Sequence, residues 1–168
     1  MQPMTAKQLV RRTGLSFDSC RDVVGDLANH GLIECLNSKA VRSRLYWPSE
    51  LGARCLLSLY PSGNVKTHDP DLQDVDWELY GWVCFSHRTA ILKTLTAPMQ
   101  PSEIKRRAKS RDPHICMSAN NVRDVMKLFL KKGVVRPVIV KKCAYRHYEL
   151  TEQGAAFQQL LIQAETQF

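Results

Sequence analysis

Apolar residues between positions 118 and 132 recur with the period of an α-helix. They follow the i, i+3, i+4, i+7 spacing of one buried face: Val122, Val125, Met126 and Phe129. Ser118 stands at the position of an N-cap, and Gly133 stands where glycine commonly ends a helix. The pattern therefore predicts a long amphipathic helix whose other face is polar.

Shorter elements are predicted on both sides of this helix. Residues 86–95 carry a helical apolar face, and residues 101–109 begin with a proline, which suits the first turn of a helix. After the long helix, residues 134–140 and 145–150 alternate like the two strands of a β-hairpin. A last helix is predicted to begin near residue 152.

The same order of patterns is present twice in the chain. A shift of 102 residues pairs 16–59 with 118–161 without a gap, and a shift of 95 pairs PMTAKQLVRR with PMQPSEIKRR. The identical pairs include Arg21/Arg123, Asp22/Asp124, Val23/Val125, Gly31/Gly133, Tyr46/Tyr148 and Gly52/Gly154. The two shifts differ by seven, which predicts that RDPHICM at 111–117 is an insertion in the second copy. A repeat with one loop-sized insertion is typical of a duplicated domain.

Helix, short helix, longer helix and β-hairpin is the element order of a winged helix-turn-helix. GLIECLNSKAVRSRLYWPSELG in the first copy resembles the recognition-helix end, wing and closing helix of archaeal-type winged-helix transcription regulators. WVCFSHRTAILKTL followed by PSEIKRRA resembles the first two helices of the same group, which includes ArsR- and MarR-like repressors. The expected fold is mainly α with small β-hairpin wings (α+β), as two tandem winged helix-turn-helix domains.

The predicted domain boundaries follow from the repeat. Residues 1–60 form the first winged-helix domain, which begins at its second helix, so that its first helix is truncated or absent. Residues 61–76 are turn-rich and acidic and form the linker. Residues 77–168 form the second domain with a terminal helix.

Charge separates the two copies. The chain carries a net +8 and has a pI near 9.3, which favours a polyanionic partner. Residues 1–75 hold 9 Lys/Arg and 8 Asp/Glu, a net of +1, whereas residues 76–168 hold 15 and 8, a net of +7. Nearly all of the excess positive charge is therefore expected on the second copy.

The location of the protein is also predicted from the sequence. No apolar run approaches the roughly 18–20 residues of a membrane-spanning helix, and the start lacks the apolar core of a signal peptide. We expect a cytoplasmic protein, nucleoid-associated in a prokaryote, with no membrane partner and with its six cysteines reduced. Cys20 and Cys55 fall on apolar helical positions and are predicted to lie in the core.

The basic residues of the second copy lie on three predicted elements of one DNA-binding motif. An arginine or asparagine on a helix in the major groove can contact base edges, and lysines can contact phosphates. The predicted DNA contacts are Lys105, Arg106, Arg107, Lys109, Asn120, Asn121, Arg123, Lys127, Lys131, Lys141, Lys142 and Arg146. Weaker contacts are predicted in the first copy at Arg11, Arg12, Ser19, Arg21, Arg42 and Arg44.

The sequence gives little support for a metal site or for a catalytic site. His114 and Cys116 in the insertion could join Cys143 and His147 near the wing as four zinc ligands, but no C-x2-C pair supports such a site. The chain has no phosphate-binding glycine loop and no convincing nucleophile with a neighbouring base. We therefore predict no metal, no cofactor and no enzymatic activity.

The resulting hypothesis is a double-stranded DNA-binding protein, a transcription regulator that binds mainly through the recognition helix and wing of its second domain. One alternative is a tandem winged-helix protein–protein scaffold or complex subunit, which needs no basic helix face. Another is a plasmid- or virus-type replication initiator. The terminal helix, with Phe157, Leu160 and Leu161 at helical spacing, is a candidate homodimer contact, and the first domain is a candidate surface for a protein partner.

Overall fold

The computed structural model describes residues 2–61, 74–139 and 146–166. Within these residues the chain forms eight helices and five short strands, so the fold is mainly α with small antiparallel sheets, as predicted. It divides into two compact units, Met1–Cys84 and Phe85–Phe168. No helix in the described ranges has the length and apolar character needed to cross a bilayer.

The first unit is a small sheet with helices around it. Its elements are β1 (Met4–Thr5), α1 (Ala6–Thr13), α2 (Phe17–Asn29), β2 (Ile33–Cys35), β3 (Leu45–Pro48), α3 (Glu50–Leu59) and α4 (Trp77–Val83). Strand β3 is central and pairs antiparallel with β1 and β2. Thr5 and Gln8 form a capping box at the start of α1, and Ser16 caps α2.

The second unit has the element order of a winged helix. Its elements are α5 (Ser86–Thr94), α6 (Pro101–Arg111), α7 (Ala119–Lys131), β4 (Val135–Val138), β5 (His147–Leu150) and α8 (Glu152–Thr166). Strands β4 and β5 form an antiparallel hairpin. Met99 adds one bridge to it through two backbone hydrogen bonds of 3.0 Å with Tyr148. The predicted helix, helix, helix and hairpin are therefore all present.

The core of the second unit is formed by helices predicted from their apolar spacing. Val122, Met126 and Phe129 of α7 are fully buried, as the sequence pattern indicates. From α8, Phe157, Leu160 and Leu161 are buried too, and α8 packs on α5. These three side chains cover the core of their own unit, so they are not available to the homodimer contact predicted for the terminal helix.

The two units repeat one set of contacts at the predicted offset of 102 residues. Ser49 Oγ donates to the Gly31 carbonyl at 2.5 Å, and Thr151 Oγ1 donates to the Gly133 carbonyl at 2.6 Å. Both glycines adopt left-handed backbone, with φ of 67° and 71°, which glycine reaches without steric cost. The same hydroxyl oxygens accept from the next helix, from Gly52 N at 3.0 Å and Gly154 N at 3.1 Å.

A close approach of helix to hairpin is repeated as well. A Cβ on Gly52 would lie 1.8 Å from the Leu32 carbonyl oxygen, and one on Gly154 would lie 2.1 Å from that of Val134. Both distances are far below van der Waals contact, so each helix can pack at this height only with glycine. The matching glycines of the sequence repeat therefore serve the same packing contact in both units.

Relative to the matching segment of the first unit, the second unit has seven extra residues, which are divided between a helix and a turn. Helix α6 continues to Arg111, three residues beyond the position that matches the end of α1, so the predicted insertion at 111–117 begins within a helix. The other four residues lengthen the segment before the Ser118 N-cap. Lys109 and Arg111 therefore lie on nearly one helical turn that the first unit lacks.

Two features of the first unit differ from the sequence analysis. Helix α4 belongs to this unit, whereas the predicted boundary at residue 77 assigned it to the second domain. Cys20 is buried as predicted, but the prediction for Cys55 was wrong, because Cys55 is exposed. Helical spacing identifies an apolar face, but it does not say whether another element covers that face.

Candidate nucleic-acid interface

Helix α7 is held so that one complete face points to solvent. Ser118 begins it by accepting a hydrogen bond from Asn121 N at 3.0 Å, and Gly133 follows it in left-handed backbone. Val122 and Met126 anchor the opposite face in the core. The exposed face carries Asn120, Arg123, Asp124, Lys127 and Lys131.

The charges on this face are weakly paired. Arg123 Nη1 donates to Asn120 Oδ1 at 3.3 Å, and Lys127 Nζ lies 3.3 Å from Asp124 Oδ1. The Lys127 and Asp124 side chains are 76% and 67% exposed, and an ion pair in such solvent contact contributes about 1 kcal/mol or less. A phosphate or a base edge can therefore replace these partners at little cost.

Helix α6, which packs on α7, adds a second basic surface. Arg106 and Lys109 are exposed, and Lys105 is half-buried. Arg107 is also exposed and pairs with Glu103 at 2.7 Å. Arg111 is held more firmly, because its Nη1 donates to the Lys93 carbonyl at 2.6 Å.

The wing of the second unit, residues 139–146, is described only at its two ends. Arg146 is exposed, and the predicted contacts Lys141 and Lys142 lie outside the described residues. Arg136 on β4 is exposed and pairs with Glu149 across the hairpin at 2.6 Å. Arg136 is not among the predicted DNA contacts, although its alternation with the buried Val135 indicates an outward-facing position.

The equivalent face of the first unit has different chemistry. On α2, Asp18, Gly25 and Asn29 replace the Asn120, Lys127 and Lys131 of α7. Arg21 matches Arg123, but it lies 3.7 Å from both Asp18 and Asp22. The α2 face therefore combines one arginine with several carboxylates.

The remaining weaker candidates are dispersed over the first unit. Ser19 Oγ contacts Ser16 Oγ at 2.8 Å, at the start of α2. Arg11 is exposed, and Arg12 Nη1 contacts Met4 Sδ at 3.3 Å. Arg42 and Arg44 are exposed in the loop between β2 and β3, where Arg44 Nε donates to the Ala40 carbonyl at 3.1 Å.

Helix α4 covers part of that loop, residues 36–44, which we call the first wing. Asn37 is fully buried there and is fixed by hydrogen bonds to Ser43 O at 3.1 Å and from Leu45 N at 2.7 Å. The α4 residue Glu78 accepts from Lys39 N at 3.0 Å, and Gly81 approaches the Asn37 amide and the Ser43 carbonyl closely. The first wing is thus engaged with its own unit.

Burial also governs two titratable groups near the end of α4. It raises the pKa of Tyr80 far above its usual value and raises the pKa of Cys84 to about 12. Both groups are therefore neutral at physiological pH. Their chemistry favours packing rather than a reactive thiolate.

The two units differ more in net charge than residues 1–75 and 76–168 do. Residues 1–84 hold 9 Lys/Arg and 10 Asp/Glu, a net of −1. Residues 85–168 hold 15 Lys/Arg and 6 Asp/Glu, a net of +9. Moving the boundary from 75 to 84 transfers Asp76 and Glu78 to the first unit.

The three candidate zinc ligands that the structure describes lie in unlike surroundings. His147 is buried with its Nε2 at 3.3 Å from Gln100 Nε2, whereas His114 and Cys116 are exposed. Cys143 lies outside the described residues. Across the described ranges, no group of three or more His, Cys, Asp or Glu residues could hold a metal ion.

Comparisons with known proteins give one partial structural likeness. The chain matches the crystal structure of SSV1 F-93 with a TM-score of 0.37 and 20% identity, over 45% of this chain and 82% of that one. A likeness this distant carries no functional information. No protein-family model matches the chain, and no curated protein matches it in sequence.

Proposed function

We propose that this protein binds double-stranded DNA through its second unit and acts as a transcription regulator. The observation that carries this proposal is the difference between two equivalent helices. Helices α2 and α7 share buried positions and N-caps, but α7 bears Arg123, Lys127 and Lys131 where α2 bears Arg21, Gly25 and Asn29. Since the common framework does not require these lysines, a polyanionic ligand accounts for them better than folding does.

The proposed contact surface consists of three elements that meet in a winged helix-turn-helix. The exposed face of α7 enters the major groove, where Asn120, Asn121 and Arg123 reach base edges and Lys127 and Lys131 reach phosphates. Four cations of α6 contact the neighbouring phosphates of the DNA backbone: Lys105, Arg106, Arg107 and Lys109. Arg146 extends the surface to the end of β5, and Lys141 and Lys142, which lie outside the described residues, are further candidate contacts from the sequence.

The first unit has a lesser part in this proposal. It is the other copy of the same winged-helix domain, related to the second by duplication, which the repeated Ser/Thr and glycine contacts support. The carboxylates on α2 repel the phosphates of DNA, and α4 contacts the first wing. Both features favour a protein-contact role for this unit.

The proposal is tested by titrating the full-length chain with random duplex DNA across a salt series, followed by fluorescence anisotropy. If six to ten cations contact phosphates, affinity falls about 10³–10⁵-fold between 50 and 200 mM salt. An affinity independent of salt, or no binding at 50 mM, contradicts the proposal. If the DNA sequences selected by tight binding lie in promoters, the result favours a transcription regulator. If they lie in replication origins, it favours a replication initiator.

A further inference from the structure

Asp124 lies in the middle of the exposed face of α7, among residues that suit the binding of phosphates and bases. It follows Asn120 by four residues and precedes Lys131 by seven, so the three side chains line one side of the helix. This side is opposite to the fully buried Val122. The Asp124 side chain is 67% exposed, and its carboxylate lies 3.3 Å from Lys127 Nζ. The carboxylate therefore belongs to the same face as the side chains proposed to contact DNA.

Helix stability gives little reason for an aspartate at this position. Aspartate is a weaker helix former than alanine or glutamate. Asp124 lies six residues after the Ser118 N-cap, beyond the first turn, in which a negative charge stabilises the start of a helix. Its i, i+3 pair with Lys127 is exposed to solvent and adds little stability. Recognition of a ligand accounts for this carboxylate better than folding does.

The major groove of DNA offers few partners to a carboxylate. An ionised carboxylate accepts hydrogen bonds and donates none. The donors in this groove are the exocyclic amines of cytosine (N4) and adenine (N6), whereas guanine and thymine present acceptors. The adenine amine stands beside the acceptor N7, which repels a carboxylate, and cytosine has no such acceptor beside its amine. Cytosine is therefore the base that suits an aspartate best.

We infer that Asp124 is a specificity-determining residue, which accepts a hydrogen bond from cytosine N4 and selects a C·G pair at one position of the DNA site. This role depends on the proposed binding of duplex DNA through the exposed face of α7. When Lys127 leaves Asp124 for a phosphate, the carboxylate loses a partner and needs a new donor. Cytosine supplies that donor. Guanine or thymine leaves the carboxylate against acceptor atoms, which weakens binding to other sequences.

The experiment selects tight binders to the full-length chain from a pool of random duplexes and then changes the selected site one base pair at a time. Fluorescence anisotropy measures the affinity of the parent, Asp124→Ala and Asp124→Asn for each duplex. For the parent, replacing the recognised C·G pair should weaken binding about tenfold or more. Asp124→Ala should bind all four base pairs at that position about equally. Asp124→Asn should prefer A·T there, because an asparagine amide pairs with adenine N6 and N7.

Asp22→Asn is the matched control, because Asp22 occupies the equivalent position of α2 and its side chain is 70% exposed. It changes the net charge of the chain by the same amount as Asp124→Asn. The control should leave the preferred base at every position unchanged. Circular dichroism verifies that each variant keeps the helical content of the parent. A change of preferred base at one position is a result that a purely structural role of Asp124 does not produce.

Four results overturn the role of Asp124 while the proposed DNA binding stands. They are an Asp124→Ala variant that selects the same sequence as the parent, a lost preference for a base other than cytosine, an Asp22→Asn variant that changes the preference at the same position, and a parent that binds duplexes without any preference for sequence. A parent that binds no duplex contradicts the proposed function itself, and the role of Asp124 fails with it.

Discussion

At the scale of single residues, matched positions of the two units agree where the core requires it and differ on the exposed faces. Val24 and Met126 are buried equivalents, as are Cys20 and Val122, so these positions supply the core in both units. Exposed positions do not contribute to the core, so their residues can differ between the two units. Val122 is required by the core, whereas Lys127 and Lys131 are not, and this is why the proposed DNA contact is assigned to the lysines.

Replacing Arg123, Lys127 and Lys131 together by alanine tests this separation. Because all three side chains are exposed, the free energy of unfolding should change by no more than about 0.5 kcal/mol for each. Affinity for duplex DNA should fall about tenfold or more, and the slope of log affinity against log salt should decrease by about one for each lost phosphate contact. Anisotropy titrations and urea melts measure the two effects.

Arg21→Ala is the matched variant in the first unit. Its weak contacts with Asp18 and Asp22 predict a small effect on both stability and DNA affinity. A triple variant that binds like the parent, together with loss of binding in Arg21→Ala, reverses the assignment of the DNA-reading unit.

At the scale of elements, local pattern predicted those features that local physics determines. The extent of α7 and its Ser118 cap follow from apolar spacing and N-cap chemistry, and both are present in the structure. The two hairpins follow from alternation. The position of Arg123, Lys127 and Lys131 on one exposed face of a helix likewise follows from the sequence, and the structure places them there.

The features that sequence did not predict depend on tertiary neighbours. Residues 77–85, WELYGWVCF, are apolar except for Glu78, so their pattern does not tell which unit they cover. The contacts of Glu78 and Gly81 with the first wing assign α4 to the first unit. Cys55 lies at a helical apolar position, but nothing described covers it. Nothing in the fold explains the seven extra residues of the second unit.

The packing of α4 on the first wing can be tested at Gly81. A Cβ there would lie 2.0 Å from Asn37 Nδ2, and the two hydrogen bonds of the Asn37 amide hold it in place. We expect Gly81→Val to destabilise the first unit by about 1–3 kcal/mol. Thermal and urea unfolding measure the loss, and DNA affinity should be nearly unchanged.

Gly25→Ala is the control for a glycine within a helix of the same unit. A Cβ at Gly25 meets nothing within 4 Å, so alanine should stabilise α2 by about 0.5–1 kcal/mol. If Gly81→Val is as stable as the parent, α4 does not pack on the first wing in solution.

At the scale of the whole molecule, the two units share matching contacts and carry net charges of opposite sign, so matched variants can separate their proposed roles. Gly52→Ala and Gly154→Ala make the same change at matching positions, each against a backbone carbonyl oxygen that cannot move aside. Each should destabilise its own unit by about 3 kcal/mol or more. Gly154→Ala, but not Gly52→Ala, should weaken binding to duplexes of about 12 base pairs, just longer than one helical turn.

Circular dichroism and DNA titration at nanomolar protein measure these two effects. Loss of binding in Gly52→Ala, with binding retained in Gly154→Ala, assigns the DNA contact to the first unit. Equal loss in both variants makes the two units joint readers of one site.

Ser49 and Thr151, which precede α3 and α8, hydrogen-bond to Gly31 and Gly133, and these contacts also bear on how distant relatives can be found. In both units a glycine is followed 18 residues later by serine or threonine, and 3 residues after that by a second glycine: Gly31, Ser49, Gly52 and Gly133, Thr151, Gly154. Each of the three is required by geometry, so these residues, and the three-residue spacing between the hydroxyl and the second glycine, should persist after the rest of a sequence has diverged. It gives a fingerprint of this domain that can be searched for in chains too distant for alignment.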